Sequence, residues 1–352
     1  MSSSYPKDYS QAVREEDRLD IASLKKYLSE NFVGINDLKE LSVKQFSAGA
    51  SNLTYQLQWN DQKVILRTAP HGANIKSAHD MSREYDVLKA LESYFEYSPK
   101  ALLYCGDEEI IGKPFYIMEK IDGVIAGKEF PMKLNSAQAD DLCKQLLDIQ
   151  VKLHEIDIAE TSLCKLGKPQ GYIQRQVEGW SGRYENALLD DSLPALELRS
   201  WLLKNQPNDT SGSMIHNDYK FDNVVISPYK PYQIIGVLDW ELSTVGSPLM
   251  DLGCSLAYWV EKNDAKEMQM IRRMPTSLDG MWSRNQIVEY YCSKRNISSE
   301  GFDYFYIFGL FRLAVIAQQI YKRYATGKTT NPVFANFGEL VKILLRQAEK
   351  QI

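Results

Sequence analysis

The sequence predicts an α+β fold in two lobes, a small lobe built on an antiparallel sheet and a larger lobe that is mainly helical. Short runs rich in β-branched and aromatic residues, separated by turn residues, fill much of the chain between residues 43 and 121. Apolar residues at helical spacing dominate after residue 136. No internal repeat of about 20 to 50 residues and no low-complexity linker is present, so a solenoid or a string of modules is excluded.

The predicted small lobe begins with an antiparallel meander. Its strands are Val43 to Phe46, Leu53 to Trp59 and Val64 to Arg67. A helix is predicted within Ser77 to Phe95, where Met81, Tyr85, Leu88 and Leu91 follow helical spacing. Two further strands, Ala101 to Cys105 and Phe115 to Ile121, complete this lobe, and the second leads into Asp122-Gly123, a natural hinge.

The predicted large lobe is a series of helices. They are Ser136 to Ile156, Tyr172 to Leu189, Pro194 to Asn205, Leu249 to Lys262, Arg284 to Arg295, Gly301 to Tyr324 and Pro332 to Glu349. Two strands interrupt them, Asn223 to Ile226 and Ile234 to Asp239, on either side of a Pro-Tyr-Lys-Pro-Tyr turn. Polar residues that carry chemistry lie near the ends of these two strands.

Composition limits the classes of function. The 352 residues are 44% hydrophobic and 25% charged, as is ordinary for a globular protein, and the net charge of −5 gives no general attraction to nucleic acid. Five widely spaced cysteines without a C-x-x-C pair predict free thiols in a reducing compartment and no structural zinc. Residues 1–20 lack the apolar region of a secretory signal and are expected to be a loose leader. A cytoplasmic protein that binds neither membrane nor nucleic acid is therefore predicted.

The segment from Ile215 to Ile226 carries the strongest chemical signal. Asp218 is followed five residues later by Asn223, and Asp239 comes at the end of the next apolar run. Phosphoryl transfer requires a carboxylate that orients the attacking hydroxyl and oxygen ligands that hold Mg²⁺ on the nucleotide phosphates. The spacing matches a kinase catalytic loop, so we expect Asp218 in the first role and Asn223 and Asp239 in the second. A lone loop carboxylate such as Asp222 is more often a turn former, but the combined pattern is specific.

The order of these motifs resembles the aminoglycoside phosphotransferase and choline kinase superfamily, and within it the kinase-like domains associated with acyl-CoA dehydrogenases. The segments that carry the resemblance are Gln45 to Asn52, Val64 to Arg67, Arg83 to Tyr85, Phe115 to Glu119, Leu153-His154, Arg175 to Trp180, Ile215 to Ile226, Leu238 to Thr244, Arg312 to Ala314 and Tyr321 to Tyr324. The resemblance implies a two-lobed protein-kinase-like fold. Its expected divisions are an N-terminal leader and helix over 1–30, a small nucleotide-binding lobe over 31–118, a hinge over 119–124, and a large catalytic and acceptor-binding lobe over 125–352.

Carried over residue by residue, the resemblance implies ATP and Mg²⁺ as cofactors, with Asp218 as the catalytic base and Asn223 and Asp239 as metal ligands. Glu84 is implied to support the cation on the nucleotide side. Glu241 is left with two roles, a metal contact or a salt bridge within the hairpin.

Arg67 is expected to hold the nucleotide phosphates, at a position where other kinases carry Lys, and to form an ion pair with Glu84. The glycine-poor loop before the second strand is still expected to approach phosphate through its backbone, and ATP is expected near Glu119. The loop residues assigned to the cofactor are Ser47, Gly49, Ser51 and Asn52.

Two further residues are predicted to support the site. His216 is expected to buttress the catalytic loop, because Asp218 already supplies the carboxylate. Asp251 is expected to be structural, at the start of a helix where a carboxylate favours the exposed N–H groups.

The sequence leaves the phosphate acceptor open. The link to acyl-CoA metabolism favours the hydroxyl of a small metabolite such as a hydroxylated acyl group or its CoA thioester. An antibiotic kinase acting on aminoglycosides is an alternative, and so is a pseudokinase that binds nucleotide without catalysis, because Arg67 and the sparse glycine loop depart from the protein-kinase pattern. Fold alone does not choose between them.

Overall fold

The computed structural model describes residues 10–32, 40–46, 52–70, 80–159, 161–209 and 212–352. The chain divides into two compact units. Unit 1 comprises Met1–Val124, Val225–Pro231 and Ile235–Glu241, and unit 2 comprises Ile125–Val224, Tyr232–Ile234 and Leu242–Ile352. The predicted lobe and hinge boundaries at 118 and 125 remain predictions.

The strands form one large sheet and two small ones. They are β1 (Ser10–Gln11), β2 (Ser42–Phe46), β3 (Leu53–Trp59), β4 (Gln62–Thr68), β5 (Ala101–Cys105), β6 (Phe115–Glu119), β7 (Val124–Ile125), β8 (Ser213–Ile215), β9 (Val224–Ile226), β10 (Ile234–Val237) and β11 (Thr244–Gly246). The large sheet has the order β1-β2-β3-β4-β6-β5, and the small sheets have the orders β10-β9-β7 and β11-β8. The predicted meander is confirmed, since β2 pairs antiparallel with β3 and β3 with β4.

The helices follow the predicted series with some changes at their ends. They are α1 (Ile21–Asn31), α2 (Met81–Leu91), α3 (Glu108–Ile111), α4 (Ser136–His154), α5 (Tyr172–Ala187), α6 (Leu196–Lys204), α7 (Pro248–Ala257), α8 (Lys266–Ile271), α9 (Arg284–Arg295), α10 (Asp303–Ala325) and α11 (Phe337–Glu349). Helix α2 lies within the predicted range, and the Asp80 carboxylate caps its start by accepting hydrogen bonds from the backbone of Ser82 and Arg83.

Three expectations from the sequence are wrong. The region before residue 20 is not wholly a loose leader, because Ser10 and Gln11 pair with Phe46 and Gln45 at the edge of the large sheet. The large lobe was expected to hold two strands, and the short strands β8 and β11 were missed because three residues are too few for a periodic signal. The strand predicted to reach Asp239 ends at Val237, since Asp239 has a left-handed backbone with φ of 68°.

Alternating side chains of the large sheet contact α1 on one face and α2 on the other. On β6, Phe115 and Ile117 belong to the buried cluster that contains Leu24 and Leu28 of α1. Tyr116, which lies between them, turns to the other face and meets the Tyr85 ring of α2 with centroids 6.5 Å apart. This alternation follows from the period of two in a β-strand.

The core of unit 2 centres on α10, which packs against α7, α5 and α11. Its approach to α7 is so close that only glycine fits at the crossing. A Cβ atom on Gly253 would lie 2.2 Å from the carbonyl oxygen of Phe305, and one on Gly309 would lie 2.2 Å from the carbonyl oxygen of Gly253. The two helix backbones are therefore in direct contact.

Two findings concern the whole of the described chain. The cysteines Cys105, Cys143, Cys164, Cys254 and Cys292 are all free thiols. Within the residues that the structure describes, no helix has the length and apolar character needed to cross a membrane.

Candidate active site

Arg67 forms the centre of an acidic cluster in unit 1. On β4, Val64 and Leu66 face the α1 side of the sheet, so Arg67, the residue after Leu66, turns to the α2 side, where Glu84 lies. Its Nη1 atom is 2.6 Å from Glu84 Oε1, and its Nη2 atom is 3.1 Å from Asp239 Oδ1. The predicted ion pair between Arg67 and Glu84 is confirmed.

Burial and charge act on this cluster in opposite directions. Burial alone would lower the pKa of the Arg67 guanidinium, but the charges of Glu84, Tyr116, Asp239 and Glu241 outweigh it and raise that pKa well above its usual range. Burial also raises the pKa of Glu84, and Arg67 opposes part of that rise. Arg67 thus stays charged, and it is surrounded by more carboxylates than it can neutralise.

Asp239 and Glu241 reach Arg67 from a turn and not from a strand. Trp240–Leu242 is a short 3-10 helix, so Glu241 does not continue the strand that precedes Asp239. Glu241 Oε2 lies 3.5 Å from Arg67 Nη2 and accepts a hydrogen bond of 2.8 Å from the Asn52 amide. Of the two roles left open for Glu241, the structure shows a salt bridge, though its partner is Arg67 on β4.

The remaining predicted cofactor residues are placed differently. Glu119 ends β6, where its backbone N–H donates to the Lys100 carbonyl and its side chain accepts from the Lys100 N–H at 3.3 Å. It is exposed and makes no ion pair within the described residues. Ser47, Gly49 and Ser51 lie outside the described residues. The structure therefore brings together Asn52, Arg67, Glu84 and Asp239 from the predicted cofactor and metal residues of unit 1.

The predicted catalytic loop, in unit 2, is held by Asp251, the fourth residue of α7. Asp251 Oδ1 accepts a hydrogen bond of 2.5 Å from the Asn217 backbone N–H, and Oδ2 accepts one of 3.3 Å from the His216 N–H. Asn217 has a left-handed φ of 65°, a conformation that Asn tolerates better than most residues. The loop after β8 is thereby turned sharply just before Asp218.

Asp251 is completely buried, and its charge is balanced by histidine and hydrogen bonds. His154 Nε2 lies 2.9 Å from Asp251 Oδ2, while His154 Nδ1 lies 2.6 Å from the Tyr291 hydroxyl. Burial pushes the pKa of Asp251 up, but the hydrogen bond and charge of His154, the charge of His216 and the Asn217 N–H lower it overall. The predicted structural role of Asp251 is thus supported. Asp251 lies at the start of a helix, as predicted, and it also braces the loop that contains His216 and Asn217.

His216 supports the same loop from inside. It is fully buried, and its Nδ1 atom accepts a hydrogen bond of 3.2 Å from the Asp218 backbone N–H. This contact agrees with the predicted buttressing role.

Asp218 shares one carboxylate oxygen between two donors. Its Oδ2 atom lies 2.5 Å from Lys220 Nζ and 2.9 Å from Asn223 Nδ2. Asn223 Nδ2 also donates to the Asp218 carbonyl at 2.8 Å, so both amide hydrogens are engaged and the amide oxygen is directed away from them. No described residue donates to Asp218 Oδ1, and 20% of the Asp218 side chain is exposed.

Lys220 was not singled out from the sequence. Its ammonium contacts Asp218, lies 3.2 Å from Asp222 Oδ1, and sits 5.3 Å from the centre of the Tyr258 ring. Burial would lower the pKa of Lys220, but the charges of Asp218 and Asp222 raise it overall, so the ammonium stays protonated at neutral pH. Asp222, considered a turn former, is the second partner of this lysine. The sequence signal that could have identified Lys220 is its position, because it lies two residues from Asp218 and two residues from Asp222.

The two predicted magnesium ligands, one in each unit, each carry an oxygen of the kind that Mg²⁺ prefers. Asp239 offers a carboxylate with 35% of its side chain exposed, and Asn223 offers the amide oxygen left by its hydrogen bonds to Asp218. Among the described residues, no group of three or more His, Cys, Asp or Glu side chains is arranged to hold a metal by itself. Mg²⁺ commonly takes one or two protein oxygens and completes its shell with phosphate and water.

The chain belongs to the phosphotransferase enzyme family (APH). The sequence profile of that family matches residues 42–284, which include the Arg67 cluster and the loop from His216 to Asn223. The family and the two-lobed α+β fold are those of kinase-type enzymes that act on small molecules.

Individual relatives narrow the comparison. The human protein named acyl-CoA dehydrogenase family member 11 is 35% identical over 340 residues, covering 94% of this chain but 43% of the relative. The chain therefore spans less than half the length of this curated relative. A solved structure from Ralstonia eutropha, described as a candidate aminoglycoside phosphotransferase, has 27% identity and a TM-score of 0.80, covering 95% of this chain and 98% of its own. Choline kinase from Cryptosporidium parvum shares the fold, with 13% identity, a TM-score of 0.63, and coverage of 94% and 95%.

Proposed function

We propose that this protein is an ATP- and Mg²⁺-dependent kinase that transfers the γ-phosphate of ATP to an alcohol group of a small metabolite. The observation that carries the proposal is the carboxylate of Asp218, whose Oδ2 is fixed by Lys220 and Asn223 while no described residue donates to Oδ1. A carboxylate held in this way can accept a hydrogen bond from a substrate hydroxyl.

The proposed step transfers one phosphoryl group. The acceptor hydroxyl oxygen forms a bond to the γ-phosphorus, the bond from that phosphorus to the β,γ-bridging oxygen breaks, and ADP leaves. Asp218 orients the hydroxyl and takes its proton. Lys220 and Asn223 keep the carboxylate in one orientation, and Asp251 keeps the loop backbone in place through Asn217.

Asp239 and Asn223 are the proposed protein ligands of Mg²⁺, and Arg67 is the proposed contact for the nucleotide phosphates. When bound there, the ion would supply positive charge that neutralises the nucleotide phosphates. Glu84 holds Arg67 through the 2.6 Å ion pair, which is the arrangement that a phosphate-binding cation requires in kinases. The set of Asp218, Asn223 and Asp239 argues against a nucleotide-binding module without catalysis, because such a module has no chemical need for all three.

A hydroxylated acyl group or its CoA thioester is the acceptor that we propose first. Its support is the similarity to the protein named acyl-CoA dehydrogenase family member 11. Aminoglycosides and choline are the competing acceptors, in view of the solved structures that share the fold.

The test is phosphate incorporation from labelled ATP into a panel of hydroxyacyl-CoAs, aminoglycosides and choline, with the wild type and Asp218→Asn compared. The isosteric change keeps the shape of the side chain but removes its ability to take a proton. Turnover should fall by roughly 10²- to 10⁴-fold, whereas ATP affinity should be retained. Asp279→Asn, at a carboxylate with 73% of its side chain exposed, is the matched control and should keep wild-type turnover.

Three results would count against the proposal. Phosphorylation of aminoglycosides or choline alone would replace the proposed acceptor. Unchanged turnover in Asp218→Asn would remove Asp218 as the base. The absence of transfer to any alcohol in the panel would favour the nucleotide-binding module.

A further inference from the structure

Arg312 is a buried guanidinium without a carboxylate partner. It lies on α10, only 5% of the residue is exposed, and no ion pair joins it to any carboxylate in the described part of the chain. Its described contacts are with the Cys254 thiol on α7 and with the Trp180 ring on α5, whose centre is 5.2 Å from the guanidinium carbon. An unpaired buried charge is costly, so a chain that keeps one gains from it elsewhere.

The packing of α7 against α10 fixes where this guanidinium lies. Gly309 precedes Arg312 by less than one helical turn, and the backbone of Gly309 touches that of Gly253. Cys254 follows Gly253 directly. The direct backbone contact of the two helices therefore leaves Arg312 little freedom to move toward another partner.

Arg312 lies beside the catalytic loop. The groups whose charges act on its pKa are Cys254, Tyr258, Asp218 and Tyr172, and together they raise it although burial acts to lower it. Burial raises the pKa of Tyr258 to about 12, and it also raises the pKa of Tyr172 and of Cys254, so these three are neutral near pH 7. Tyr172 reaches the loop directly, since its hydroxyl is 3.3 Å from Asn217 Oδ1.

Asp218 forms no ion pair with Arg312 within the described residues, although its charge acts on the guanidinium. The Oδ2 atom of Asp218 is already engaged by Lys220 and Asn223. A second arginine, the exposed Arg183, lies over the same Trp180 ring with its guanidinium carbon 4.6 Å from the ring centre. Two arginines thus share one indole, and neither forms an ion pair with a described residue.

We propose that Arg312 binds an anionic group of the phosphate acceptor, so that this kinase selects small alcohols that carry a carboxylate or a phosphate. The inference rests on the proposed function, because it takes Asp218 as the residue that meets the acceptor hydroxyl. A planar guanidinium binds carboxylate or phosphate oxygens through paired hydrogen bonds, and Trp180 holds its plane in place. The same charge disfavours cationic acceptors such as choline and aminoglycosides.

Binding measurements with matched probes test the inference without relying on turnover. Calorimetry would compare 3-hydroxybutanoate with its neutral amide 3-hydroxybutanamide, and glycerol 1-phosphate with glycerol. We expect the anionic member of at least one pair to bind about tenfold tighter or better, and the pair that shows it identifies carboxylate or phosphate as the preferred group. Arg312→Gln should remove that preference, and Arg312→Lys should retain part of it.

Arg183→Gln is the matched control, because it removes the same charge from the other side of Trp180 at an exposed position. It should leave the preference within about threefold, since screening weakens exposed charges. Thermal unfolding of each variant shows whether the fold is kept, and the wild-type comparison of charged and neutral probes stands even where a variant does not fold.

The inference is overturned if charged and neutral probes bind the wild type equally, if none of the anionic probes binds, or if Arg312→Gln keeps the preference. Equal losses in Arg312→Gln and Arg183→Gln would also overturn it, because they would indicate general electrostatic attraction. Failure of the proposed function is a separate result. The anion preference would then still depend on Arg312, whereas no alcohol in the acceptor panel would be phosphorylated. The inference about Arg312 would stand and the proposed kinase activity would fail.

Discussion

Arg67 on β4 and Glu84 on α2 form an ion pair in which Nη1 lies 2.6 Å from Oε1 and the two side chains are 9% and 2% exposed. The pair connects the sheet of unit 1 to the helix that covers one of its faces. Asp239 and Glu241 approach the same guanidinium at 3.1 and 3.5 Å. A single buried arginine thus holds three acidic side chains in one place.

Removing the charge of Arg67 should therefore destabilise the protein strongly. Arg67→Met leaves Glu84 buried without its partner, and loss of one member of a buried pair costs about 3 to 5 kcal/mol in the free energy of unfolding. Urea denaturation measures the change. Lys89→Met is the control, because Lys89 lies on α2, the helix that carries Glu84, with 54% of its side chain exposed. This change should alter the free energy of unfolding by less than about 0.5 kcal/mol. Similar small effects of the two changes would mean that the buried pair contributes little to stability.

Asp239 should be required for stabilisation by nucleotide with magnesium. If it binds Mg²⁺, ATP with Mg²⁺ at a hundredfold excess over Kd should stabilise the wild type by roughly 2.7 kcal/mol. Thermal unfolding with and without Mg²⁺ should show this increase in the wild type and in Asp86→Ala, a change at an exposed carboxylate of α2. It should be lost in Asp239→Ala. A Mg²⁺-dependent increase of the same size in Asp239→Ala would exclude Asp239 from the metal site.

Stability should depend on pH through Asp251. Its pKa is lowered in the folded protein despite burial, mainly by His154, and the unfolded value is about 3.9. A lowered pKa means that the stabilisation is present above the unfolded value and is lost as the pH falls through the folded one. The difference in unfolding free energy between wild type and Asp251→Asn should therefore be fully present above about pH 5 and shrink below about pH 4.

Asp190→Asn, at an exposed carboxylate of the same unit, provides the comparison for this pH series. Its difference from wild type should stay small at every pH. A difference between wild type and Asp251→Asn that grows as the solution is acidified would show that the sign assigned to Asp251 is wrong.

The crossing of α7 and α10 should not tolerate a methyl group. Gly309→Ala would place a Cβ atom 2.2 Å from the Gly253 carbonyl oxygen, and overpacking of this kind costs at least about 1 to 3 kcal/mol. Gly182→Ala on α5 is the control, because no heavy atom lies within 4 Å of its added Cβ. There the better helix propensity of alanine should stabilise by roughly 0.5 to 1 kcal/mol. Chemical denaturation of both variants checks the contrast, and equal effects would refute the tight crossing.

Elements with strong local signals were predictable from the sequence. Helix α9 was predicted with both of its ends, and the structure shows why: Ser283 and Gln286 form a capping box at its start, and Asn296 ends it in a left-handed conformation. Strands β8 and β11 were not predictable, because each has three residues and is defined by its pairing with the other. The turn at Asp239 was missed for a related reason, since an apolar run does not show where the backbone leaves the extended region.

The sequence by itself determined that Asp218 and Asn223 lie together. They are five residues apart, so a short loop brings them into contact whatever surrounds it, and their spacing predicts a kinase catalytic loop. The resemblance to kinases also placed Glu84 opposite Arg67, and the structure confirms that ion pair.

Only the tertiary structure decided which residues support this chemistry. Asp251 braces the backbone of Asn217 from 34 residues away, Arg312 on α10 reaches Trp180 on α5, and two glycines let α7 and α10 touch. Contacts between residues so far apart in the chain are set by the packing of whole elements, and neither periodicity nor spacing encodes them in a single sequence. The lack of an ion pair at Arg312 within the described residues is therefore a property of the folded chain. In the sequence, Arg312 is only a polar residue among apolar neighbours.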